Sequence, residues 1–165
     1  MIRKSCFLLA LWVAVFSLSA CQTAPEKEGL SAEEIAAIIK QEGFVKSEEG
    51  WEFSASEKLL FGVDEASLLP HAKEALERIA HLLIKLEIPA LRIDGHTDTT
   101  GSDRHNDQLS LRRAQAVAEV LVATGVPVEN ITVRGLGSRA PVASNQTAEG
   151  RSQNRRVVLV ILPGG

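Results

Sequence analysis

The sequence has few cysteines and few aromatic residues, and each shortage excludes a class of protein. The 165 residues contain two cysteines, no tyrosine and 4% aromatic residues. Cys6 lies inside an amino-terminal apolar run, so a domain that has lost this run keeps no pair of thiols for a disulfide. The scarcity of aromatic rings disfavours surfaces that stack on nucleic-acid bases or sugars. The fold must therefore depend on packing, for which this length is sufficient.

An excess of basic charge is also missing. The chain has 18 Lys and Arg against 21 Asp and Glu, a formal net charge of −3. Residues 1–20 hold two of the bases, Arg3 and Lys4, and no acid, so the chain without them has 16 bases against 21 acids, or −5. A net acidic chain has no general reason to bind nucleic acid. Any binding to an anionic polymer must be local.

The amino terminus has the parts of a secretory signal. Arg3 and Lys4 precede an apolar run over 5–17, which is too short for a membrane span of about 20 residues. The next four residues, Leu18-Ser19-Ala20-Cys21, resemble the lipobox of bacterial lipoproteins, in which the cysteine carries lipid. We predict a signal peptide over 1–20 and lipidation at Cys21; ordinary cleavage and an uncleaved anchor are the alternatives. Gln22 is not the Asp that retains many lipoproteins in the inner membrane, which favours the outer membrane.

The remaining chain alternates helical and strand patterns. A capping box at Ser31 predicts a first helix that Gly43 ends, and longer helices begin at about Pro70 and after the polar loop over 95–106. Residues 135–153 read mostly as loop. Strands are predicted over 51–53, 58–61, 90–94, 131–134 and 156–162. The fold class is α+β, an α/β sandwich: a mixed four-stranded sheet with helices on one face and an amino-terminal helical extension.

The polar loop after the third of these strands holds the most informative residues. Asp98 lies in the loop, and Gly101 permits a tight turn. Ser102 and Ser110 could each cap the next helix; if Ser110 does, Arg113 lies in the first turn and reaches the loop. A carboxylate, a guanidinium and free backbone N–H groups suit a zwitterion, with an ammonium at one end and a carboxylate at the other. The alternative is a structural pair, an Asp that caps a turn and an Arg bound to it.

Four motifs follow one another in this half of the chain: Gly95-His96-Thr97-Asp98, Asn106-x-x-Leu109-Ser110-x-x-Arg113-Ala114, Gly135-x-Gly137-Ser138 and Asn145-x-Thr147-x-x-Gly150-Arg151-x-x-Asn154-Arg155-Arg156-Val157. In this order they resemble the OmpA C-terminal-like peptidoglycan-binding domain, over about residues 56–162. The resemblance implies that Asp98 and Arg113 clasp the diaminopimelate of the peptide stem. It also implies a binding protein without a cofactor, not an enzyme.

The resemblance extends the site to six residues. The expected peptidoglycan-binding residues are Asp98, Arg113, Asp64, Thr97, Gly101 and Arg155. The family motif near Asp64 is F-D-x-D, whereas this chain has Phe61-Gly62-Val63-Asp64 and lacks the first Asp. Arg155 has an alternative role, a structural Arg paired with a helix carboxylate.

The amino-terminal third resembles outer-membrane lipoproteins of a three-part cyclic-di-GMP control system. The matching segments include Leu30-Ser31-Ala32-Glu33, Glu49-Gly50-Trp51-Glu52-Phe53 and Leu60-Phe61-Gly62. In that system the lipoprotein captures a periplasmic repressor of an inner-membrane diguanylate cyclase. The resemblance predicts a partner surface, for which the candidates are Ile39, Phe44 and Trp51. Alternatively, the first helix packs on its own domain.

The expected organisation has four parts: 1–20 signal peptide, 21–30 lipidated Cys and tether, 31–53 helix and partner-binding segment, and 54–165 OmpA-like domain. A plain tether between outer membrane and wall is the rival function, and the oligomeric state stays open, a homodimer included. A metal-dependent hydrolase is a weaker rival. Its candidate ligands would be His96, Asp98, Asp103, His105 and Asp107, but Arg113 beside Asp98 would repel a cation.

Overall fold

Residues 29–62 and 65–163 are described in a computed structural model of the chain. The predicted signal peptide, Cys21 and Asp64 lie outside these residues. The helices are α1 Ala32–Gln41, α2 Glu57–Leu60, α3 Pro70–Lys85, α4 Asp103–Thr124 and α5 Ala148–Asn154, with a 3₁₀ turn at Val128–Asn130. The strands are β1 Val45–Lys46, β2 Trp51–Ser56, β3 Leu91–His96, β4 Ile131–Gly135 and β5 Arg156–Ile161.

The strands form one mixed sheet in the order β1-β2-β5-β3-β4. Strands β3 and β4 are parallel, and all other neighbours are antiparallel. This confirms the predicted α+β class. The sheet has five strands rather than four, because the two residues of β1 pair with Trp51 and Glu52 at its edge. A two-residue strand is too short to show an alternating pattern, which is why the sequence did not reveal it.

Alternate residues of the central strands face the helices and form the core. Ile93 of β3 and Leu159 of β5 are fully buried, and they belong to one cluster with Leu83 of α3 and Leu121 of α4. Gly95 lets α4 approach the sheet closely, since a Cβ there would lie 2.0 Å from the Ser110 carbonyl oxygen. This close approach places the middle of α4 beside the end of β3, where the predicted site lies.

The ends of the helices follow the predicted signals, and the structure distinguishes the two candidate caps of α4. Ser31 and Glu34 form the expected capping box of α1, and Pro70 occupies the first turn of α3. Helix α4 is capped by Ser102, whose hydroxyl accepts from the His105 N–H at 3.3 Å, and not by Ser110. Arg113 therefore lies well inside α4 rather than in its first turn.

Two segments differ from the sequence prediction. Residues 58–61, predicted as a strand, contain most of α2, and only Phe61 makes an isolated bridge to Leu68. Four apolar-rich residues fit a strand or one helical turn equally well, so periodicity could not separate the two. The predicted loop over 135–153 contains all but the last residue of α5, whose cap Thr147 accepts from the Gly150 N–H at 3.0 Å.

The amino-terminal segment packs on the domain. Ile39 and Phe44 are each 1% exposed, and the Phe44 ring lies 5.3 Å from that of Phe53. Both belong to the main core cluster and present no surface to a partner in this conformation. Trp51 is half-buried and begins β2, which continues across the expected boundary at residue 53. The alternative given above, a helix that packs on its own domain, describes this conformation.

No helix among the described residues has both the length and the apolar character needed to cross a membrane.

Candidate functional site

A cavity of about 630 Å3 opens between α2, the loop after β3, the first half of α4 and the region of α5. Five of the six predicted site residues line it: Thr97, Asp98, Gly101, Arg113 and Arg155. The sixth, Asp64, lies outside the described residues. The fold thus gathers side chains that are separated by up to 58 positions in the sequence, from Thr97 to Arg155, into one cavity wall.

Asp98 is held rigidly at the mouth of the turn that follows β3. Its Oδ1 accepts from the Thr100 N–H at 2.8 Å, and its Oδ2 pairs with Arg155 Nη1 at 2.6 Å. The Asn106 amide donates to the Asp98 carbonyl oxygen at 3.3 Å. Burial tends to raise the pKa of this carboxyl, but the hydrogen bonds from Thr100 and Arg155 outweigh burial and lower it. Asp98 is therefore a buried, ionised carboxylate on the cavity wall.

Arg113 lies on the same wall and is 2% exposed. Its Nε donates to the Glu65 carbonyl oxygen at 3.1 Å, and its Nη2 donates to Glu57 Oε1 at 2.8 Å. The guanidinium carbon lies 5.3 Å from the Phe61 ring centroid, a cation–π distance. Arg113 forms no salt bridge with Asp98 itself, so the direct contact expected from a first-turn position is replaced by an indirect connection through other charged groups.

Glu57 and Arg155 supply that connection. Glu57 Oε2 lies 3.1 Å from Arg155 Nε, and Arg155 Nη1 in turn reaches Asp98. The resulting network runs Arg113–Glu57–Arg155–Asp98, with alternating sign and no net charge. Arg155 lines the cavity, which the predicted binding role needs, and it also pairs with a helix carboxylate, that of the first residue of α2, as the structural alternative describes.

The rest of the lining is strongly cationic. The described lining residues include five cations, Lys58, Arg112, Arg113, Arg151 and Arg155, and two carboxylates, Glu57 and Asp98. Their sum is +3, in a chain whose formal net charge is −3. The cavity is therefore a local cationic surface in an acidic chain, the kind of surface to which the composition restricts any binding of an anionic polymer. A ligand with a carboxylate for Arg113 and an ammonium for Asp98 matches the two buried charges.

The two small predicted residues shape the loop. The Thr97 N–H donates to the Gly137 carbonyl oxygen at 2.9 Å, which ties the loop to the end of β4. The Thr97 hydroxyl is buried and has no hydrogen-bond partner among the described residues. Gly101 has φ +91°, a left-handed conformation that favours glycine. This turn carries the Thr100 N–H back to Asp98.

Sequence reasoning missed Glu57 and Phe61, which contact Arg113 directly. Both lie in the segment predicted as a strand or next to it, and an extended strand would place their Cα atoms about 13 Å apart. Glu57 carries no local motif that distinguishes it from the other acids of the chain. Only the pairing of β2 with β5, which brings Ser56 opposite Arg156, places Glu57 beside Arg155.

The metal-site alternative finds no support in the described residues, which include no group of three or more His, Cys, Asp or Glu side chains able to hold a metal ion. Of its candidate ligands, Asp98 and His105 line the cavity. His96 is buried at the end of β3, and burial, with the nearby Arg156 charge, lowers its pKa to about 4.

The sequence of the chain is similar to those of several known proteins. A family model described as the OmpA family matches residues 60–155. The outer-membrane lipoprotein YfiB of Pseudomonas aeruginosa is 46% identical over 153 residues, which cover 93% of this chain and 90% of YfiB. The peptidoglycan-binding protein ArfA of Mycobacterium tuberculosis is 48% identical over 103 residues, 62% of this chain and 32% of ArfA.

Solved structures agree with the sequence matches. The cell wall anchor of the type VI secretion system from Pseudomonas aeruginosa has a TM-score of 0.66 and 31% identity, over 79% of this chain and 94% of the anchor. The name of the YfiB relative confirms the predicted class, an outer-membrane lipoprotein. The family model covers more than half of the chain and includes the cavity-lining residues from Phe61 to Arg155. The chain belongs to the OmpA family.

Proposed function

We propose that this protein is an outer-membrane lipoprotein whose OmpA-family domain binds peptidoglycan through the diaminopimelate of the stem peptide. The observation that carries the proposal is the pair of buried, opposite charges, Asp98 and Arg113, on the wall of one cavity. Diaminopimelate ends in an ammonium and a carboxylate on one carbon. The named activity of the ArfA relative, which shares 48% identity over this domain, supports the same ligand class.

The ammonium and the carboxylate of the ligand bind to different residues. The Asp98 carboxylate is fixed by Thr100 and Arg155 and accepts the ammonium. The Arg113 guanidinium has five N–H donors, of which Glu65 and Glu57 use two, and it can hold the carboxylate through parallel hydrogen bonds. Because both groups are already oriented by their neighbours, little side-chain entropy is lost when the ligand binds.

A single site of this kind binds modestly, since a few charge-assisted hydrogen bonds at an open cavity gain little over solvation. The wall offers many stems on one polymer, and a protein anchored at Cys21 meets them at high effective concentration. Avidity therefore supplies the residence on the wall, and the lipid at Cys21 supplies the attachment to the outer membrane.

The test is sedimentation of the soluble chain from residue 22 with purified sacculi. We expect Asp98→Asn and Arg113→Ala to lose most of the wall-bound fraction. Asn keeps an oxygen for the Thr100 N–H, so the turn survives the first change. Asp94→Asn is the matched control: Asp94 is a second buried, Arg-paired carboxylate of the same strand region, and it does not line the cavity. Wall binding by both site variants at the wild-type level, with circular dichroism showing intact folds, would refute the site.

We also propose that the protein captures a YfiR-like periplasmic repressor and so activates an inner-membrane diguanylate cyclase. The support is the resemblance of the amino-terminal third to lipoproteins of that system and the 46% identity to YfiB, which extends beyond the OmpA-like region. Ile39 and Phe44 are in the core, so the accessible apolar groups of this segment include Leu30, 45% exposed, Val45, 69% exposed, and the half-buried Trp51. Either these contact the repressor directly, or α1 must leave the domain.

The reach of the amino-terminal segment separates this proposal from a plain tether. The nine residues 22–30 extend at most about 30 Å, whereas 22–50 could extend about 100 Å if α1 detached. Pull-down of the repressor from periplasm, with Trp51→Ala as the variant, tests capture. If a linker inserted after residue 24 activates the cyclase, the reach of the amino-terminal segment limits signalling. If no repressor is captured and the insertion has no effect, the plain tether between outer membrane and wall is the better account.

A further inference from the structure

Glu57 is a charged residue of the cavity to which neither a motif nor the proposed function assigns a role. Its carboxylate lies between two arginines, with Oε1 2.8 Å from Arg113 Nη2 and Oε2 3.1 Å from Arg155 Nε. The Glu57 side chain is 13% exposed and that of Arg113 is 3% exposed, so solvent screens this contact only weakly. One carboxylate thus balances two cations at the wall of the cavity.

Lys58, Arg112 and Arg151 keep the cavity cationic with or without Glu57, so Glu57 changes how strongly a lone carboxylate is preferred. With Glu57 ionised, Arg113, Glu57, Arg155 and Asp98 sum to zero. A ligand that brings only a carboxylate adds a net negative charge to a network whose charges are already paired. A ligand that brings both an ammonium and a carboxylate adds one partner for each sign. Without the Glu57 charge the four positions would sum to +1, and a lone carboxylate would be accepted more readily.

Glu57 also orients the guanidinium that receives the carboxylate. Arg113 is fixed at Nε by the Glu65 carbonyl oxygen and at Nη2 by Glu57, which sets the plane of the group. No other described residue accepts a hydrogen bond from this guanidinium. Because these two contacts fix the plane of the guanidinium, its remaining N–H donors are already oriented. Parallel hydrogen bonds to a ligand carboxylate need this preorganisation.

We propose that Glu57 is a specificity-determining residue that makes the cavity select an amino-acid end, with both charges, over a simple carboxylate. The inference rests on the proposed binding of diaminopimelate by this cavity. Glu57 is then a third charged residue that determines specificity, besides Asp98 and Arg113. It contacts Arg113 and Arg155 and acts by setting the charge of the network, without a direct contact to the ligand.

The test uses three tripeptides that differ only in the third residue: meso-diaminopimelate with both charges, 2-aminopimelate with the distal carboxylate alone, and lysine with the ammonium alone. Calorimetry with the soluble chain from residue 22 gives the affinity of each. We expect the wild type to bind the diaminopimelate peptide most tightly. Glu57→Gln keeps the size of the side chain and an oxygen for Arg113, and it should lower the ratio of diaminopimelate to aminopimelate affinity by about tenfold.

The ratio of diaminopimelate to lysine affinity should rise in Glu57→Gln, because removing a negative charge weakens the binding of a lone ammonium. Asp107→Asn is the control: it removes the same charge from an ion pair with Arg139 that does not line the cavity, and it should leave all ratios at the wild-type value. Equal losses for all three peptides in Glu57→Gln, or unchanged ratios, would overturn the role of Glu57. Failure of the wild type to bind the diaminopimelate peptide at all would instead overturn the proposed function.

Discussion

Two aspartates near the end of β3 have nearly the same burial and different surroundings. Asp94 is 4% exposed and Asp98 is 5% exposed, and each pairs with arginine. Asp94 accepts three hydrogen bonds from guanidinium groups, two from Arg134 at 2.7 Å and one from Arg92 at 2.9 Å. Asp98 accepts one from Arg155 and one from a backbone N–H, and it alone of the two lines the large cavity.

The difference separates a structural ion pair from a binding site. Both carboxyls have a lowered pKa, although burial raises it in each case, because hydrogen bonds to the ionised form outweigh burial. Burial and pKa therefore do not identify the functional residue. The Asp94 carboxylate is held by two arginine side chains on the face of the sheet opposite Leu91 and Ile93 of the core. The Asp98 carboxylate instead shares a cavity wall with a second buried charge, that of Arg113.

The largest effect on stability is expected at Asp94. Asp94→Asn leaves Arg92 and Arg134 without their shared carboxylate, and we expect a loss of about 3 kcal/mol in the free energy of unfolding, at the low end for a broken buried pair because Arg134 is partly exposed. Asp98→Asn should cost less, since the Thr100 hydrogen bond remains. Urea denaturation of both variants measures the difference. The comparison fails if Asp98→Asn is the more destabilising change.

The next largest effect is a pH dependence at His96, which lies between the two aspartates in sequence. Burial and the Arg156 charge lower its pKa in the folded state to about 4, while Asp94 opposes this and Arg134 adds to it. The unfolded chain has a His pKa of about 6.5 and takes up the proton first, so stability is complete above pH 6.5 and falls as the pH drops towards 4. We expect a loss of about 2 kcal/mol between pH 7 and pH 4.5.

Denaturation midpoints across this pH range measure the His96 effect. His96→Gln removes the titrating group and should flatten the slope, whatever it does to stability at neutral pH. The carboxyls of Asp94 and Asp98 contribute their own loss only at lower pH, below about 4, because their folded pKa lies under the usual value. An unchanged slope in His96→Gln would assign the pH dependence elsewhere.

The smallest effect is expected at the turn that holds Asp98. Gly101 has φ +91°, and a Cβ there would meet the nearest atoms at 3.8 Å, so Gly101→Ala is limited by backbone conformation rather than by space. We expect a cost of about 1 kcal/mol in unfolding free energy. Wall binding should fall only slightly, measured by the sacculus assay. If Gly101→Ala is as stable as the wild type, a side chain at this position does not strain the turn.

Much of this architecture was predictable because its signals are local. The Ser31 capping box, Pro70 and the alternating strands define elements over a few residues, and the structure confirms them. The loop after β3 was also recognisable, since Asp98 and Gly101 lie three residues apart. Ser102 and Ser110 could not be separated as caps, because either residue fits the pattern; in the structure Ser102 caps α4 and Ser110 lies inside it.

The remainder depended on tertiary contacts. Glu57 approaches Arg113 across 56 positions in the sequence, and Arg155 approaches Asp98 across 57, so no spacing rule joins them. Ile39 and Phe44 looked available to a partner because the amino-terminal segment reads as a separate unit. Their burial follows from the pairing of β2 with β5, which brings Phe53 beneath Phe44 and makes the segment part of the core.

The most direct test of the central claim is a titration of the ¹⁵N-labelled soluble chain from residue 22 with the diaminopimelate tripeptide, followed by amide chemical shifts. The account predicts saturable shifts at Asp98, Thr100 and Gly101 and in α4 around Arg113, with the amides of Asp94 and Arg134 unchanged. Shifts centred on Asp94 and Arg134, or none at Asp98 with ligand in large excess, would contradict it.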